Sequence, residues 1–155
     1  MKYILDESAI FYMLETFPRK TIYNLFDLFC QKCKSGEIIS DKETKKRLES
    51  ILEEEFSFQW VEENAKMFRS ITQTESVILG KLVDKGRFEF VSRSRNFTRN
   101  IPVALPFIFA IAIHEHRTIV MDKKSKDYAI AKNICEEEEI TFLDVDNFLS
   151  DILQK

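Results

Sequence analysis

The stretch Ile101–Asp122, IPVALPFIFAIAIHEHRTIVMD, decides the fold. From Ile101 to Ile113 it is almost wholly apolar, and Pro102 and Pro106 fall where a first helical turn tolerates proline. It reads as a buried helix closed by His114-Glu115-His116, and it is too short to cross a bilayer. Thr118–Met121 then reads as a short strand. Its unbroken apolar run is the mark of a strand covered on both faces of a parallel sheet. Asp122 stands at its end. The N-terminus repeats the device, since KYILD is an apolar strand ending in Asp6. Two carboxylates at the tips of neighbouring strands make a metal or proton site. Asp6 also has a plainer reading, as the cap of a helix starting near Ser8.

Outward from these two strands, apolar spacing predicts alternating helices and strands. A helix from Ser8 carries Ile10, Phe11, Leu14 and Phe17, and a second runs over Thr21–Lys34 and ends at Ser35-Gly36. Glu37–Ser40 is a strand. DKETKKRLESILEEEF, residues 41–56, is a charged helix capped by Ser40 or Asp41, with Glu43 and Arg47 at ion-pair spacing. Phe56–Phe68 continues helically, and Thr74–Lys85 is a helix stopped by Gly86. Arg87–Asn100 opens like a strand, with a candidate near residue 89, and then turns basic. Arg93, Arg95 and Arg99 surround Phe97 with no acid after Glu89, a pattern for phosphate contact with one stacking ring. Tyr128–Cys135 is a helix, Ile140–Leu143 the last strand, and Asp144–Leu153 the last helix.

The strand–helix alternation predicts an α/β domain spanning residues 1–155, with a small parallel sheet of four to five strands covered by helices on both faces. Ligands of such sheets sit beyond the carboxyl ends of the strands, where Asp6 and Asp122 belong. Composition agrees, at 45% hydrophobic and 32% charged with only three glycines and three prolines. A net charge of −3 provides no overall basic field, so nucleic-acid binding would need a local patch. The cysteines, Cys30, Cys33 and Cys135, are odd in number. Cys30 and Cys33 form a C-x-x-C inside a helical run, with no second pair for zinc. They read as structural, Cys30 buried and Cys33 on the flank, in a reducing cytoplasmic setting. His114 and His116, at i and i+2 on a helix, point apart and make a poor metal pair. No signal peptide is expected from an N-terminus that reads as a strand.

The blocks KYILDESAIFYML, EIISDKETKKRLES, ALPFIFAIAIHEHRTIVMD and ITFLDVDNFLSDIL together resemble a PIN domain of the VapC-like, DUF4411-type branch. The resemblance implies a three-layer sandwich related to the FEN-type nucleases. Its active members are Mg²⁺- or Mn²⁺-dependent ribonucleases, many of them toxins of toxin–antitoxin pairs. Their clustered acids hold hard divalent cations that activate water. Mapped onto that pattern, the first acid falls on Asp6 and the fourth on Asp122. The second falls on Arg47, just before Leu48, and the third on Leu105 in Ala104-Leu105-Pro106.

The acidic set is therefore incomplete. Glu43, one turn before Arg47, is a replacement catalytic acid if the helix is turned differently, with Asp41 and Asp127 as weaker substitutes. Otherwise Arg47 or Lys46 neutralises Asp6 and Asp122 in a metal-free cleft, and Asp6→Asn is then expected to destabilise. Two readings follow. One is a PIN-like protein with a degraded metal site that binds RNA, through Arg93, Arg95, Phe97, Arg99, Lys123 and Lys124, or binds a protein such as an antitoxin-like partner. The other is a Mg²⁺- or Mn²⁺-dependent ribonuclease using Asp6, Asp122 and a displaced acid. A homodimer through the phenylalanine-rich early helices is a further expectation; a membrane role is not.

Overall fold

Five short strands, all parallel, lie in the order β3-β2-β1-β4-β5 in a computed structural model that describes residues 2–92 and 104–154. They are β1 (Tyr3–Leu5), β2 (Ile38–Asp41), β3 (Phe68–Arg69), β4 (Thr118–Met121) and β5 (Phe142–Asp144). Between them run α1 (Glu7–Phe11), α2 (Tyr23–Ser35), α3 (Lys42–Ile51), α4 (Glu55–Glu63), α5 (Gln73–Asp84), α6 (Glu89–Ser92), α7 (Leu105–Glu115), α8 (Tyr128–Glu137) and α9 (Val145–Leu153). The expected α/β architecture is present, with a parallel sheet between two helical layers.

Side-chain alternation along the central strands builds two cores. Tyr3, Leu5, Ile38 and Val120 face one layer, where Ala9 of α1, Phe29 of α2, Leu48 of α3, Trp60 of α4 and Phe148 of α9 meet them. Ile4, Ile39, Ile119 and Met121 face the other, against Leu82 of α5, Ile108 and Phe109 of α7, and Ala131 and Ile134 of α8. Residues 3–5 and 118–121 are all buried, so the apolar runs reflect cover on both faces. In α7 the residues Ile108–Ala112 are buried without a break, as the sequence Ile101–Ile113 requires. His116 ends it at φ 55. Its expected start at Pro102 lies outside the described residues, and Pro106 sits in its first turn. Among the described residues no helix is long and apolar enough to cross a membrane.

Three local expectations need correction. The charged helix does not run through to Phe56. It stops at Leu52, and α4 begins afresh at Glu55. The Glu15 carboxylate accepts the backbone N–H groups of Glu53 and Glu54 (2.9–3.3 Å), a long-range bond that breaks a favourable local helix pattern. The candidate strand near residue 89 is the short helix α6, and the third strand is Phe68–Arg69, in a stretch with helical spacing. Its two residues pair with Ser40 and Asp41 at the sheet edge, too short a run to leave a periodic signal. The cysteine placement is also reversed: Cys33 is buried and Cys30 only half-buried, and all three thiols are free.

A buried ion network ties the edge of the sheet to the α5/α7 layer. Glu75, fully enclosed, takes a forked pair of bonds from Arg69 (2.9 and 2.7 Å) and a contact from His114 Nδ1 (2.6 Å). It also closes a capping box with Thr72 at the start of α5. Arg69 bridges on to Glu115, which pairs with Arg117. Arg117 in turn donates to the carbonyls of Tyr3, Gly36 and Glu37, joining the starts of β1, β2 and β4.

Burial alone would raise the Glu75 carboxyl, but the hydrogen bonds from Arg69 and His114 outweigh it and hold it at about 2. Its folded value thus lies below the ordinary 4.5, so it stabilises the fold above pH 4.5 and loses that contribution as pH falls toward 2. Glu75→Gln keeps the shape and removes the charge, leaving Arg69 half-paired. Urea denaturation should show a loss of roughly 3–5 kcal/mol at pH 7, with the gap to the parent protein narrowing below pH 4.5 and closing only as pH nears 2.

Candidate functional site

Four aspartates mark the carboxyl ends of four strands: Asp6 follows β1, Asp41 ends β2, Asp122 follows β4 and Asp144 ends β5. Three of them cap the helix that begins at once. Asp6 accepts from Ala9 N (3.0 Å), Asp41 from Glu43 N and Thr44 N (3.1 Å each), and Asp144 from Asn147 N (2.8 Å). The strand-to-helix junctions have no loop residues to spare, so a short acceptor at the junction is required to satisfy the first helical N–H groups. Asp122 differs: a turn follows it, and it caps no helix.

The chain reverses its direction of travel across the sheet between β1 and β4, and a crevice forms at such a point. The Ser8 hydroxyl spans it. Its Oγ donates to Asp6 Oδ1 (2.7 Å) and accepts from the backbone N–H of Asp122 (2.9 Å). Asp6 and Asp122 are thus brought together, as their positions in the sequence require. Tyr12 lies within the electrostatic reach of both Asp122 and Asp146.

Asp6 is buried, and loss of hydration lifts its carboxyl to about 7. The bonds from Ser8 and Ala9 pull the other way without cancelling it, and the charge of Glu7 adds to the rise. Burial also raises Glu7, against the opposing pull of Arg47. Arg47 Nε binds Glu7 Oε2 at 2.8 Å. Glu43 points elsewhere, to Lys46 at 3.3 Å on the exposed face of α3. The expected Glu43–Arg47 pair is therefore absent, and among the described residues neither Arg47 nor Lys46 pairs with Asp6 or Asp122. The cation at the expected second acid position does serve the cleft, but through Glu7. Side-chain direction on a helix depends on what packs across from it, which spacing along one chain does not reveal.

Leu105, at the expected third acid position, is buried in the apolar core with Ile4, Ile39 and Met121. Among the described residues no three His, Cys, Asp or Glu side chains converge to hold a metal ion. Asp6 Oδ1 accepts from two donors, Ser8 Oγ and Ala9 N. On the far side of the cleft Lys123 reaches Asp144 Oδ2 at 3.4 Å, and Lys124 and Lys126 are exposed. Arg93, Arg95, Phe97 and Arg99 lie outside the described residues. Ser8, Glu7 and Asp144 were not among the expected site residues. Only Asp144 had a visible signal, an aspartate closing an apolar run as at positions 6 and 122.

Comparison with family models, with curated proteins and with solved structures gave no match to this chain.

The raised Asp6 reverses the expectation for its removal. A carboxyl held near 7 in the fold and near 3.8 when unfolded costs nothing below pH 3.8. The penalty grows as pH rises through that window, to on the order of 4 kcal/mol above pH 7. Asparagine keeps an acceptor for Ala9 N and the Ser8 hydroxyl. Asp6→Asn should therefore raise the unfolding free energy at pH 8 and flatten its decline between pH 4 and 7. Asp6→Ala, lacking the cap, should not.

Proposed function

We propose that this protein is a PIN-like domain whose strand-end cleft binds RNA and does not cleave it efficiently. The parallel order with its switch point between β1 and β4, and the Asp6 carboxylate linked through Ser8 to the backbone of Asp122, suit the PIN resemblance. The observation that carries the non-catalytic reading is the Arg47–Glu7 pair beside Asp6. A guanidinium stands where the resemblance calls for a second metal-binding acid, and it repels a divalent cation. Leu105 adds an apolar wall where a third acid is expected.

RNA would lie along the rim rather than in the acidic floor, because phosphates avoid carboxylates. Lys123, Lys124 and Lys126 supply cations on one lip of the cleft. Arg93, Arg95 and Arg99, with Phe97 as a stacking ring, belong to the same reading by their sequence alone. Three free thiols suit a reducing compartment such as the cytoplasm.

A fluorescent single-stranded RNA followed by anisotropy tests the reading. Binding should weaken steeply with salt, and the double change Lys123→Ala, Lys124→Ala should lower the slope of log affinity against log salt by about 1–2. Mn²⁺ or Mg²⁺ at millimolar levels should neither raise Tm nor produce cleavage. Mn²⁺-dependent cleavage abolished by Asp6→Asn would replace this reading with the alternative, a VapC-type ribonuclease.

A further inference from the structure

A groove of about 660 Å³ runs between α2 and α4 and shares no residue with the strand-end cleft. Its volume falls in the range of small-molecule sites. Tyr23, Phe26, Phe56 and Trp60 furnish its rings, and the carboxylates of Asp27 and Glu63 stand on its rim. Tyr23 is 65% exposed, although it is an aromatic residue facing this groove. Phe26 and Phe56 meet at 6.1 Å between centroids, and Trp60 is held by stacking on Phe29 at 5.7 Å. These contacts fix the walls in advance of any ligand.

The chemistry of the lining selects for charge. Aromatic faces carry negative potential and attract cations, most strongly where water is excluded. Asp27 and Glu63 act in the same sense, against the single cation Lys34. Cys30 contributes a thiol that burial pushes up, against the opposing bond that Trp60 Nε1 donates to its sulfur at 3.3 Å. The protein already places a cation on one of these rings, with Arg19 Cζ 3.8 Å from the centre of Phe56. An anion meets two carboxylates, and a neutral apolar molecule forgoes the attraction to ring and acid alike. A cation with an apolar shell satisfies both.

We propose that this groove is a binding site for a small alkylated ammonium ion, with the rings supplying the faces and Asp27 and Glu63 the countercharge. Trp60 is the only tryptophan, so its emission reports on this groove alone. Choline is the probe, and 3,3-dimethyl-1-butanol, its uncharged isostere, the control, both at constant ionic strength on the full chain. Choline should change Trp60 emission saturably and bind at least fivefold tighter than the alcohol. Tyr23→Ala, at an exposed position that does not hold the core, should weaken choline at least threefold, and Asp27→Asn should weaken it too. Val77→Ala, exposed on α5, should leave it unchanged. Equal affinity for the two probes would overturn the proposal by making the groove merely apolar. So would the absence of saturation in both Trp60 emission and choline methyl NMR linewidth, or a titration indifferent to Tyr23→Ala.

Discussion

Pairing of β1 with β4 is the constraint on which the molecule depends. The register Tyr3 to Thr118, Ile4 to Ile119 and Leu5 to Val120 brings the N-terminal strand beside one far along the chain. Each of these strands is buried on both faces, so each supplies half of its side chains to one core and half to the other. A slip of one residue would exchange the two sets and present Tyr3 and Leu5 to the α7 layer. The pairing runs on into the cleft through Asp6 N, which donates to Val120 O at 3.3 Å. The same contact that closes the fold therefore sets the separation of Asp6 from Asp122.

At the strand ends, structural and chemical demands fall on the same residues. A helix that begins directly after a strand needs an acceptor for its first N–H groups, and aspartate is a good one. Three of the four strand-end aspartates do that work. An Asp6 that only capped α1 would be better tolerated at the surface, where water would keep it ionised at little cost. It is instead buried at the crevice beside Glu7, where its charge opposes stability near neutral pH. A charge kept where it weakens the fold is a feature of functional sites. Arg47 relieves the neighbouring carboxylate and leaves Asp6 itself uncompensated.

A second set of buried polar groups ties β3 to the α5 and α7 layer. Glu75, Arg69, Glu115 and Arg117 form a chain of charges that ends on main-chain carbonyls of Tyr3, Gly36 and Glu37. Each charge in it has an opposite partner and directional hydrogen bonds, the condition under which buried ions are tolerated. The two-residue strand β3 gains from this, since Arg69 anchors it where its ladder is too short to do so.

By itself the sequence determined the layered α/β design, four of the five strands, the buried character of α7 and the meeting of Asp6 with Asp122. All of these follow from local signals: unbroken apolar runs, helical spacing, and an acid closing each run. The tertiary structure decided what those signals do not contain. Glu15 ends α3 from 38 residues away, β3 exists only because β2 offers it an edge, and Arg47 turns to Glu7 while Glu43 turns to Lys46. Ser8 becomes a bridge only once β1 and β4 are adjacent. Each of these depends on a partner distant in the chain, and the partner is chosen by packing, to which hydrophobic periodicity is blind.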